Sequence, residues 1–79
     1  MKNKEGIYKM LSKNVKYLRK KKGYTLRALA EKCNINHRSI QAIEDGVSIN
    51  PTIKIVASIA KEFNISIDDL IYKDIENMI

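Results

Sequence analysis

Apolar residues recur along this chain at intervals of three and four, the spacing that lines one face of an α-helix. Leu11, Val15 and Leu18 form the first such stripe, and Gly23 ends it with the residue best suited to a left-handed cap. Thr25 opens a second helix, about two turns long, that carries Leu29, Ala30 and Cys33 inward. Asn34 follows it, the next most tolerant residue after Gly for a positive φ. Asn36 caps a third helix in which Ile40 and Ile43 face inward before Gly46 stops it. Asn50 and Pro51 supply the preferred cap and first-position residues for a fourth, with the stripe Ile53, Val56, Ala57, Ala60 and Phe63. Ser66, followed three residues later by Asp69, opens a fifth. Ile67, Leu70, Ile71, Ile75 and Met78 keep the helical period, which extends this last helix nearly to the C-terminus.

No segment sustains the alternation of a strand. The pattern therefore predicts an all-α fold: a compact five-helix bundle, one domain over residues 1–79, with residues 1–6 and Val47–Ile49 as its flexible pieces. At 79 residues the chain buries about 60% of the surface it exposes when unfolded, so its core is either economical or completed by a second copy. No apolar run exceeds three residues, which argues against a membrane span or signal peptide and for a soluble, cytoplasmic protein. One cysteine and one histidine make neither a disulfide framework nor a metal cluster, and no cofactor is expected. Without a second histidine, a nucleophile beside a base or a phosphate-cradling glycine loop, the chain does not read as an enzyme. Cys33, on an apolar helix face, reads as a buried, inert thiol.

Charge changes the picture more than composition does. Residues 1–38 hold 12 Lys and Arg against Glu5 and Glu31, a balance of +10, whereas residues 39–79 hold three Lys against seven acids, a balance of −4. Such asymmetry in one small domain implies a basic face for a polyanion, with nucleic acid foremost. The third helix carries chemistry to read one. With Ile40 and Ile43 inward, Arg38 and Asp45 point away from the core, Gln41 and Ala42 lie beside them, and His37 sits on the flank. Arg pairs with guanine and Gln with adenine in the major groove, and an alanine methyl can meet a thymine methyl.

The stretch from Leu11 to Ile71 resembles the phage repressor and Cro helix-turn-helix family, most specifically in LRKKKGYT, LAEKCNIN, SIQAIEDG and NPTI. The resemblance covers 61 of the 79 residues. It implies a λ-repressor-like DNA-binding domain with its helix-turn-helix at about residues 25–45, a third helix that enters the major groove, and a twofold dimer. Base contacts fall at the positions matching Asn36, His37, Arg38, Gln41 and Ala42, and Arg19 with Glu44 matches a structural ion pair between helices 1 and 3. Three positions depart from the family pattern: Leu26 stands where Gln usually holds a phosphate, Asn34 stands where Gly is commonest, and the loop from Gly46 to Pro51 runs one residue longer.

Lys9, Lys13, Lys16, Lys20 and Arg27 are the candidates for phosphate neutralisation. Ile67, Ile71, Ile75 and Met78 form more apolar surface than a core of this size needs, which nominates the C-terminal segment, residues 72–79, for dimerisation. The alternative is that Ile75, Met78 and Ile79 fold back onto their own domain, over helix 1. The expected function is sequence-specific binding of a double-stranded DNA operator by a homodimeric transcriptional regulator, a repressor or autoregulator, without membrane association. The rival is an antitoxin-like interaction module that neutralises a toxin or other protein partner.

Overall fold

The computed structural model describes residues 4–47 and 51–78, and among these every regular element is helical. Five α-helices follow in order: α1 (Lys4–Lys21), α2 (Leu26–Cys33), α3 (His37–Glu44), α4 (Ile53–Glu62) and α5 (Ile67–Tyr72), with a 3₁₀ turn at Ile75–Asn77. Three of the expected caps act as such. The side chains of Thr25, Asn36 and Ser66 accept hydrogen bonds from the amides of Ala28, Arg38 and Asp69 at 3.0, 2.8 and 3.0 Å.

The first four helices end alike. Tyr24, Ile35, Val47 and Ile65 each donate a backbone amide to the carbonyl five residues back, after a residue with φ between 57° and 76° (Gly23, Asn34, Gly46 and Asn64). This closure satisfies last-turn carbonyls and requires a left-handed residue, at modest cost for Asn and none for Gly.

The core joins Leu11 and Val15 of α1, Leu29, Ala30 and Cys33 of α2, Ile40 and Ile43 of α3, Val56, Ile59 and Ala60 of α4, Phe63 and Leu70. α1 packs against both α3 and α5, while α2 packs against α3 and α4. Helix 3 is thus fixed from behind by two elements and keeps its other side free of the core.

Several sequence expectations need correction. Pro51 is not the first residue of α4: Thr52 is the cap, its hydroxyl accepting from the Ile55 amide at 3.2 Å, and α4 begins at Ile53. In that register Ile53 points outward, 69% exposed, and the inward stripe is Val56, Ile59, Ala60 and Phe63. Asn50 lies outside the described residues, as do residues 48 and 49. Of the expected flexible N-terminus, residues 4–6 belong to α1, and residues 1–3 lie outside the description.

The fifth helix does not run to the C-terminus. It stops at Tyr72, with Lys73 in an extended conformation, because Asn14 of α1 takes up its end. Fully buried, Asn14 donates through Nδ2 to the carbonyls of Leu70 and Lys73 at 2.8 and 2.6 Å, and its Oδ1 accepts from the Ile75 amide at 3.3 Å. These bonds replace the helical partners that continued winding would have supplied. Ile75 and Met78 therefore do not extend the face of Ile67 and Ile71. The 3₁₀ turn lies against α1 instead, with Ile75 half-buried and Met78 54% exposed.

Candidate nucleic-acid interface

A three-residue turn, Asn34 to Asn36, sets α3 against α2. Asn34 (φ 57°, ψ 46°) reverses the chain, and Asn36 in turn caps α3. Across this turn Arg27 and Glu31 of α2 face His37 and Arg38 of α3 over a groove of about 800 Å³. On the other flank of α3, Arg38 and Ala42 meet Pro51, Thr52 and Ile55 around a second cleft of about 330 Å³. Arg38 lines both, so it stands on the crest between them.

The expected base-reading residues fall along this crest. Arg38 and Gln41 are exposed, His37 and Ala42 are half-buried, and exposed Asn36 uses its side-chain oxygen on the Arg38 amide. Asp45, also exposed, closes the face at the far end. The outward side of α3 therefore offers donors near its N-terminus and a carboxylate near its C-terminus.

Arg19 and Glu44 meet at the edge of the core. Arg19 Nε donates to Glu44 Oε2 at 2.6 Å and a terminal nitrogen donates to Oε1 at 3.0 Å, the two-pronged geometry for which a guanidinium is suited. Its other terminal nitrogen donates to the Tyr24 carbonyl at 2.8 Å. Only 13% of the Arg19 side chain and 4% of the Glu44 side chain remain exposed. The hydrogen bonds to Glu44 outweigh burial and raise the Arg19 pKa above its ordinary value. Ser12 adds a second tie that sequence reasoning missed: its hydroxyl donates to the Glu44 carbonyl at 2.7 Å, satisfying a backbone acceptor in the last turn of α3.

The candidate phosphate residues do not form one group. Arg27 is exposed beside Arg38, within the groove already described. Lys9 is exposed on α1, whereas Lys13, Lys16 and Lys20 lie with Tyr17 and Glu76 around a separate cleft. Lys13 Nζ donates to Asp74 Oδ1 at 2.7 Å. That bond, then one from Asn77, holds the Asp74 carboxyl below its ordinary value. The contact is complete at neutral pH and is lost as acid protonates the carboxylate.

The dimerisation candidates divide as well. Ile67 and Ile71 are partly buried against their own core, while the exposed large apolar side chains at this end are Tyr72 and Met78. Cys33 is buried, its thiol 3.7 Å from the Ser58 carbonyl, and burial pushes its pKa up to about 11, so it stays protonated at neutral pH. Among the described residues no helix is long and apolar enough to cross a membrane, and no group of three metal-ligating side chains assembles.

A helix-turn-helix family profile matches residues 15–70 of this chain. The chain is also similar to the HTH-type transcriptional regulators SinR of Bacillus subtilis (strain 168) and of Bacillus licheniformis, 31% identical to each over 62 residues. The matched stretch covers 78% of this chain and 56% of either relative, so the chain spans about half the length of the curated relatives it matches. No solved structure matches it at a significant level.

Proposed function

The chain belongs to the helix-turn-helix family, in its phage repressor and Cro type, and from that premise we propose that it is a sequence-specific DNA-binding regulator of transcription. It acts as a homodimeric repressor or autoregulator, laying α3 of each protomer in a major groove. The observation that carries this reading is the outward crest of α3, where Arg38 stands exposed between two clefts and Gln41 is exposed one turn on, while Ile40 and Ile43 anchor the opposite face in the core.

Arg38 is the principal base-reading residue, through paired hydrogen bonds to a guanine, with Gln41, His37, Asn36 and the Ala42 methyl beside it. Arg27 neutralises phosphate at the edge of the groove, and the lysines of α1 add to the long-range field. Arg19 and Glu44 hold α3 in register on α1, so Arg19 acts on DNA only through the position of that helix. Two protomers pair through the C-terminal end, with Tyr72 and Met78 as the exposed apolar side chains and Ile67, Ile71 and Ile75 supporting them. The work is binding, without an enzymatic step.

Replacement of Arg38 by Ala tests the assignment on an operator obtained by selection from random duplexes. Fluorescence anisotropy is expected to show a loss of about 1–3 kcal/mol, concentrated at one base pair per half-site, where the preference relaxes. A uniform loss on operator and random duplex alike would mean that Arg38 contacts phosphate and reads no base.

A further inference from the structure

The acidic end of the chain lies on the basic flank of α1. Lys13, Lys16, Lys20 and Tyr17 share a cleft of about 210 Å³ with Glu76. Asp74 accepts from Lys13 Nζ at 2.7 Å, and its other oxygen accepts from Asn77 Nδ2 at 2.9 Å. Backbone anchors stand on both sides of Asp74: the buried Asn14 binds the Lys73 carbonyl and the Ile75 amide. The backbone on either side of Asp74 is therefore held against α1 by hydrogen bonds that do not depend on charge, which keeps Asp74 on Lys13 and Glu76 at the edge of the lysine cleft.

This flank adjoins the side of α1 that carries α3. Ser12 and Arg19 turn toward α3 through their bonds to Glu44. At about 100° per residue, Lys16, Lys20 and Lys13 follow about 50°, 90° and 110° around α1 from that direction. The phosphates of a duplex that reaches this flank from α3 would offer an ammonium group what Asp74 and Glu76 offer, fully charged oxygens.

We propose that Asp74 and Glu76 compete with the DNA backbone for Lys13, Lys16 and Lys20, so that the C-terminal segment weakens binding to every duplex alike and leaves base preference unchanged. This rests on the DNA-binding reading above and adds to it an internal brake on non-specific binding. Each lysine that exchanges a carboxylate for a phosphate releases cations from the DNA, so the brake is visible in the salt dependence.

The experiment compares the full chain with the double variant Asp74→Asn/Glu76→Gln on a selected operator and a random duplex, between about 50 and 200 mM salt. Both affinities are expected to rise by a similar factor, about tenfold at the low-salt end, and the log–log salt slope to steepen by about 2 per bound protomer, about 4 for a dimer. Asp68→Lys, at an exposed acid of α5, makes the same change in net charge and is expected to leave the slope unchanged. A double variant whose slope equals that of the wild type, or of Asp68→Lys, overturns the proposal.

Lys13→Gln supplies an independent reading. It is expected to cost little in the wild-type chain and about threefold in the double variant, since only there is Lys13 free for phosphate; equal costs in the two backgrounds overturn the proposal. If the double variant melts below the assay temperature, Glu76→Gln alone, which leaves the Asn14 and Lys13 bonds in place, is expected to steepen the slope by about 1 per bound protomer. An unchanged slope in that variant also overturns it. A wild-type chain that binds neither duplex would remove the DNA-binding reading itself, and the brake with it.

Discussion

Replacing Asn14 with Ala is expected to destabilise the fold by about 3 kcal/mol and to detach the segment after Tyr72. Asn14 is fully buried and supplies hydrogen bonds to the Leu70 and Lys73 carbonyls and the Ile75 amide. An alanine leaves buried backbone groups without partners, at about 1–3 kcal/mol for each that water does not reach, and opens a cavity between α1 and α5. For a domain of this size the loss lowers the melting temperature by about 12–24 °C. Hydrogen exchange locates the damage: the Ile75 amide is expected to lose its protection before the amides of α2 and α3 do. Asn14→Leu refills the volume without restoring the bonds, so it is expected to remain destabilised. A leucine variant as stable as the wild type would show that Asn14 acts by its size alone.

Arg19→Ala is expected to cost about 3 kcal/mol, because Glu44, with only 4% of its side chain exposed, is left as an unpaired buried carboxylate. Lys20→Ala, one residue along but on the exposed surface, is expected to change stability by less than about 0.5 kcal/mol. Removing both partners separates the cost of the orphaned charge from the worth of the pair. Arg19→Ala/Glu44→Ala is expected to be more stable than Arg19→Ala alone, with thermal unfolding of the four species closing the cycle. Equal melting temperatures for Arg19→Ala and Lys20→Ala would make Arg19 an ordinary surface charge and leave α3 held by packing and by Ser12.

The parts of the fold written in nearby residues were legible in the sequence. Thr25, Asn36 and Ser66 could be recognised as caps because each bonds an amide only two or three residues away. The inward faces of α2 and α3 followed from helical spacing, as did the outward position of Arg38. The start of α4 was less determinate, since Asn50 with Pro51 and Thr52 both make good openings, and the choice moves Ile53 between core and solvent.

The end of α5 failed for a different reason. Ile75 and Met78 keep the helical period, but the break is imposed from α1 by a side chain 56 to 61 residues earlier in the chain. A trace of it exists: Asn14 lies three residues after Leu11 and four before Leu18, a polar residue at an inward position that requires buried partners. Which partners it takes is a matter of tertiary packing. The lysines illustrate the same limit, because their number was plain in the sequence while the pairing of Lys13 with Asp74 spans 61 residues.

Selection of binding sites from a pool of random duplexes by the wild-type chain tests the central claim most directly. The expected result is an enriched, approximately palindromic site whose two half-sites lie about one helical turn of DNA apart, or a multiple of it, each containing a guanine that is no longer selected by Arg38→Ala. A pool that enriches no sequence, or an Arg38→Ala chain that selects the same site with the same preference, would contradict base reading by α3.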